Sequence, residues 1–82
     1  MKVTARGLNL VFEQETPSGT VDGTNATFTL TAEPHDTKQA MVYLNGGIQR
    51  RTSDWSISGT TLTFVQAPAL GQTVYVTYYR RN

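Results

Sequence analysis

Turn-forming residues recur at short intervals along the chain: Pro17-Ser18-Gly19, Asp22-Gly23-Thr24-Asn25, Pro34, Asn45-Gly46-Gly47, Gly59-Thr60, Pro68 and Gly71. No window between them reads as an amphipathic helix. The intervening runs are rich in Thr, Val, Tyr, Phe and Ile, residue types that fit a pleated, half-buried surface. Apolar surface must therefore be buried by strands. The regular turn spacing points to an all-β fold, a small antiparallel β-sandwich or barrel of about six to seven strands. An immunoglobulin-like arrangement is compatible with that pattern, and its connectivity is not readable from it.

With 82 residues the chain has room for a single β-domain, 1–82, because chains of this size bury only about 60% of their unfolded surface. It contains no cysteine, which removes disulfides and thiolate metal sites as staples and leaves stability to strand pairing, packing and any partner. Seven Lys/Arg against six Asp/Glu give a net charge of +1, too balanced to predict attraction to nucleic acid or membrane from the global field. Arg6-Gly7 interrupts any apolar run long enough for a signal sequence, and Leu10-Val11-Phe12 is far below a membrane span. The expectation is a soluble protein made in a cytoplasm, without a membrane partner.

Individual strands follow from period-two alternation. Leu8 to Glu13 is the first, with Leu8, Leu10 and Phe12 expected to face the core. Thr16 to Asn25 is dense in turn formers and is expected to be a long loop with little regular structure. Ala26 to Ala32 puts Ala26, Phe28, Leu30 and Ala32 on one face before Pro34 ends it. Gln39 to Leu44 enters the Asn45-Gly46-Gly47 turn, where a three-residue loop is favoured because it would bring Val42, Leu44 and Ile48 together. A two-residue Gly59-Thr60 turn of type II′ sets Trp55 opposite Phe64 and Ile57 opposite Leu62. The last strand, Thr73 to Arg80, sends Val74, Val76 and Tyr78 inward and leaves Tyr75, Thr77 and Tyr79 on a second, aromatic face.

The ordered string Asp22-Gly23-Thr24-Asn25-Ala26-Thr27-Phe28-Thr29-Leu30, Pro34, Val42-Tyr43-Leu44-Asn45-Gly46, Ser53-Asp54-Trp55-Ser56-Ile57-Ser58-Gly59, Thr61-Leu62-Thr63-Phe64, Ala67-Pro68, Gly71 and Val76-Thr77-Tyr78 resembles a β-module of tailed-bacteriophage structural proteins, in fibre, baseplate and head-associated chains. The resemblance covers roughly residues 17 to 79. It implies a non-enzymatic structural role in the virion after synthesis in the host cytoplasm. The partners it implies are other phage structural proteins and further copies of the chain, and it carries over no catalytic residue. A copy running from Met1 to Asn82 is expected to be a tail or fibre adaptor, a baseplate component or a capsid decoration protein.

The residues themselves offer few chemical groups. His35, in Glu33-Pro34-His35-Asp36, lacks the spaced ligand set of a catalytic metal site and is read as a solvated loop residue. Ser18, Ser53, Ser56 and Ser58 have no nucleophile elbow and no second histidine. Asp22-Gly23-Thr24-Asn25 lacks the twelve-residue EF-hand pattern and reads as a turn capped by its own side chains. No cofactor, metal or catalytic residue is expected. Tyr43, Arg50, Tyr75, Tyr79, Arg80 and Arg81 are the candidate protein-interface residues, since Tyr and Arg combine contact area with hydrogen bonding. Two further readings stand beside it: a carbohydrate- or receptor-binding module in which Trp55 or exposed tyrosines stack on sugar rings, and nucleic-acid binding by Arg50-Arg51 and Arg80-Arg81, which requires both pairs on one continuous face.

Overall fold

The computed structural model describes residues 2–5 and 8–81, with side chains from Leu10 onward. Strands β1 (Lys2–Ala5), β2 (Leu8–Glu15), β8 (Val74–Arg81), β4 (Met41–Leu44) and β5 (Gly47–Gln49) form one sheet in that spatial order. Strands β3 (Thr27–Thr29), β7 (Thr61–Phe64) and β6 (Trp55–Ser58) form a second sheet, in the order β3-β7-β6. All pairings between these strands are antiparallel. The seven strands from Leu8 to Arg81 match the expected all-β sandwich, and β1 adds an N-terminal strand that the alternation pattern did not reveal.

The core has the composition expected from strand parity. Phe28, Leu30, Ala40, Val42, Trp55, Leu62, Phe64, Val74, Val76 and Tyr78 are buried in one cluster, with Ala26, Ala32, Leu44 and Ile57 packed against it. The Gly59-Thr60 turn pairs Trp55 with Phe64 and Ile57 with Leu62 as expected. Gly59 has φ +60° and Thr60 is not left-handed, the signature of a type II′ turn. Trp55 is 1% exposed, and its indole N–H donates to the Gln49 carbonyl at 3.1 Å, so its polar atom is satisfied inside the sandwich.

Three expectations are corrected. The Asn45-Gly46 turn has two residues, because Leu44 pairs with Gly47 and Tyr43 with Ile48. Both turn residues are left-handed, with φ +51° and +85°, the type I′ geometry that follows strand twist and that Asn-Gly adopts readily. Ile48 consequently leaves the face of Val42 and Leu44. The second correction concerns β2, whose Phe12 lies opposite Tyr79 and Leu10 opposite Arg81, on the face away from buried Tyr78. Phe12 is half-buried, and Leu10 is buried but stands apart from the core cluster; the side chain of Leu8 lies outside the described residues. The third is one of extent. Thr27–Thr29 is shorter than Ala26 to Ala32, and a 3-10 turn at Thr37–Gln39 occupies the start of the expected Gln39 to Leu44 strand.

The inward side of β2 instead carries carboxylates. Glu15 accepts from the Tyr78 hydroxyl and from the Thr31 hydroxyl at 3.0 Å, and Glu13 pairs with Arg80. Burial of the Tyr78 phenol, followed by its bond to Glu15, raises its pKa. The Thr16 to Asn25 loop is more ordered than expected. Ser18 bridges Thr29, Asp22 accepts from the Thr24 and Asn25 backbone, and the Asn25 amide donates to Thr20 and Thr27 carbonyls. Gly19 sits at φ +149°, and a Cβ there would lie 2.4 Å from the Phe28 ring.

Two outcomes follow from this packing. Trp55→Ala is expected to lose about 3 to 5 kcal/mol in urea unfolding, the ordinary cost of emptying a buried aromatic site. For Tyr78, a folded pKa above the unfolded one means its contribution is complete below about pH 10 and is lost as pH rises through the folded value. Unfolding midpoints should therefore fall on the alkaline side. Tyr78→Phe should flatten that fall while costing about 1 kcal/mol at neutral pH, because Glu15 loses a donor.

Candidate docking surface

Strand register arranges the outer face of the five-stranded sheet in rows. Ile48, Tyr43 and Tyr75 form one row across β5, β4 and β8. Met41, Thr77 and Gln14 form the next, across β4, β8 and β2. Tyr79 and Phe12 form the third, and Arg81 and Leu10 the fourth. Successive rows are two residues apart along each strand, or about 7 Å. Side chains of all four rows point away from the core because they alternate with Val42, Val76 and Tyr78.

This face is apolar and aromatic where an exposed sheet face would ordinarily be polar. Ile48 is 62% exposed, Met41 47% and Tyr75 37%. The Tyr43 and Tyr75 ring centroids are 6.4 Å apart, and those of Phe12 and Tyr79 are 5.1 Å apart. Both are tilted pairs within the usual range of favourable aromatic contacts. The Tyr75 hydroxyl donates to the Gln14 side-chain oxygen at 3.3 Å, and the Tyr43 hydroxyl reaches the Met41 sulfur at 3.3 Å. Gln14, Tyr43, Gly46, Thr73, Tyr75 and Thr77 line a shallow depression. Among the described residues of the four rows, Arg81 is the one ionised side chain.

Of the six residues expected at an interface, Tyr43, Tyr75, Tyr79 and Arg81 come together on this face. Arg80 does not. Alternation turns it to the inner side, where it pairs with Glu13, half-buried. Arg50 lies beyond β5 at the sheet margin, in a tight connection to the second sheet where its N–H donates to Asp54 at 2.7 Å. The two arginine pairs are therefore split: Arg80 and Arg81 point to opposite faces of β8, while Arg50 and Arg51 follow β5, two strands away. Phe12, Met41 and Ile48 belong to the face and were missed. For Ile48 the Asn-Gly dipeptide, a strong two-residue hairpin signal, would have revealed it.

His35 is not a freely solvated residue. Its backbone N–H donates to the Tyr79 carbonyl at 2.6 Å, and its Nδ1 accepts from Arg81 Nε at 3.4 Å. Asp22 caps its own turn, and the Thr24 N–H, then the Asn25 N–H, hold its carboxyl below the usual range. Among the described residues no three His, Cys, Asp or Glu side chains converge as a metal site. What the outer face offers chemically is contact area, hydroxyl and amide hydrogen bonding, and one guanidinium. Compared with protein-family models, curated proteins and solved structures, the chain has no match.

Proposed function

We propose that this chain is a non-enzymatic assembly module of a tailed-phage virion that docks through the outer face of its five-stranded sheet. The observation that carries the docking reading is the exposure of Ile48, Met41 and Tyr75 on a sheet whose other face already covers a complete core. An apolar, aromatic surface that the fold does not need for its own burial is the usual mark of an interaction site. Placement in a virion rests on the resemblance of residues 17 to 79 to phage structural modules. Partners in this reading are other structural proteins of the particle, with further copies of the chain alongside.

Ile48→Ser combined with Tyr75→Ser tests the docking face, since both side chains are exposed and their loss should cost the monomer at most about 1 kcal/mol. The double variant is expected to fold, to sediment as a monomer and to be missing from purified particles by mass spectrometry. Normal incorporation of a folded double variant would remove the face from the reading.

A second reading is favoured by the depression at Tyr43 and Tyr75. Aromatic rings beside the Gln14 amide and the Thr73 and Thr77 hydroxyls, with no charge, suit a neutral sugar ring better than they suit a phosphate. Buried Trp55 is not available as the stacking platform. In that case Tyr75→Ser would abolish saccharide binding while particle incorporation persists.

A further inference from the structure

The carboxylates of this chain are nearly all engaged internally. Glu13 holds Arg80, Glu15 holds Tyr78 and Thr31, Asp22 caps its own turn, Asp36 accepts from the Lys38 N–H, and Asp54 accepts from the Arg50 N–H. Of the six Asp and Glu residues, Glu33 alone makes no side-chain hydrogen bond among the described residues. Arg81 has no carboxylate within 4.0 Å among them, where Arg80–Glu13 is the one salt bridge. Yet Arg81 is positioned. His35 is pinned to the β8 backbone through Tyr79, and its Nδ1 meets Arg81 Nε, which leaves both terminal nitrogens of the guanidinium without a partner among the described residues.

We propose that Arg81 is the seat for a carboxylate of a partner protein, which lays an adjoining apolar side chain over the Tyr79–Phe12 pair. The inference rests on the docking reading and names the chemistry of what docks. End-on approach to the two terminal nitrogens permits a bidentate carboxylate bond, the geometry in which arginine is most selective. One row away, about 7 Å along β8, the tilted Tyr79 and Phe12 rings receive the apolar neighbour. The ligand is thus an acidic residue, or a chain terminus, flanked by a large apolar side chain. A nucleic-acid backbone fits less well. Arg50 and Arg51 are two strands away, and Arg80, which lines the same notch as Arg81 and Glu33, is neutralised by Glu13. Among the described side chains, the one carboxylate of a second copy with no hydrogen bond of its own is Glu33.

The test is an NMR titration of the intact protein with N-acetylphenylalanine and with its neutral amide. Saturable shifts are expected at the Arg81 side chain, Tyr79 and Phe12, with the acid binding about fivefold more tightly than the amide, as a partly exposed ion pair allows. Arg81→Gln should bring the acid down to the level of the amide. Glu33→Gln, by removing the competing carboxylate, should tighten the acid. Equal affinity for acid and amide would overturn the carboxylate seat, as would shifts confined to other surfaces. Tighter, Arg81-dependent binding of a short oligonucleotide would also overturn it, in favour of phosphate. Loss of self-association in Glu33→Gln would overturn it in favour of a second copy. If Arg81→Gln enters particles normally while the Ile48/Tyr75 double variant does not, the docking face stands and the carboxylate seat falls.

Discussion

The register of β8 between β2 and β4 is the constraint on which the remaining structure depends. Val76 lies opposite Val42 on one side and Glu15 on the other, while Tyr79 lies opposite Phe12 and Tyr75 opposite Tyr43. Because side chains alternate along a strand, a one-residue slip in either pairing would exchange the two faces of that neighbour. Val42 would leave the core and Tyr43 would enter it. The same register brings Glu15 to the Tyr78 hydroxyl and Glu13 to Arg80, so that polar groups directed inward at the margin of the core find partners. Both carboxylates are half-buried rather than buried, so the bonds at Glu13 and Glu15 favour this register modestly.

The two sheets divide the work unequally. In the three-stranded sheet, Phe28, Trp55 and Phe64 supply most of the aromatic core, with Leu62 in the same cluster, and the Phe28 and Phe64 rings meet edge to face at 5.7 Å. Gly19 matters here because the Phe28 ring occupies the space a side chain would need. The five-stranded sheet covers that core with smaller residues, Val42, Val74 and Val76, together with Tyr78. Its own aromatic residues lie mostly on the other side. A face with this composition is what the proposed docking role rests on, since the fold leaves Ile48 and Tyr75 outside its own core.

Sequence reading and structure agree most closely where a local rule decides the outcome. The Gly59-Thr60 hairpin, the core positions of β6 and β7, and the alternation of β8 all follow from turn chemistry and period two. The tyrosines of the outer face were legible for the same reason: Tyr75 and Tyr79 are odd-numbered in a strand whose even positions are Val74, Val76 and Tyr78. Alternation places Phe12 in the core because Leu10 and Phe12 share a parity, but Val11 between them is apolar too. In such a strand the pattern alone does not say which parity turns inward.

By itself the sequence determined the all-β class, the absence of any cysteine staple, most of the core and the existence of a second aromatic face on the last strand. These are properties of spacing within a few residues, and backbone geometry translates them directly into side-chain direction. Only the tertiary structure decided that Leu10 and Phe12 join Tyr79 outside, that Arg80 is held by Glu13 while Arg81 remains outward, and that His35 comes to rest against Arg81. Each of these depends on pairing between residues that are far apart along the chain. Which strand lies beside which, and in what register, is set by the sum of core packing and buried polar satisfaction across both sheets, a quantity that no local stretch of sequence contains.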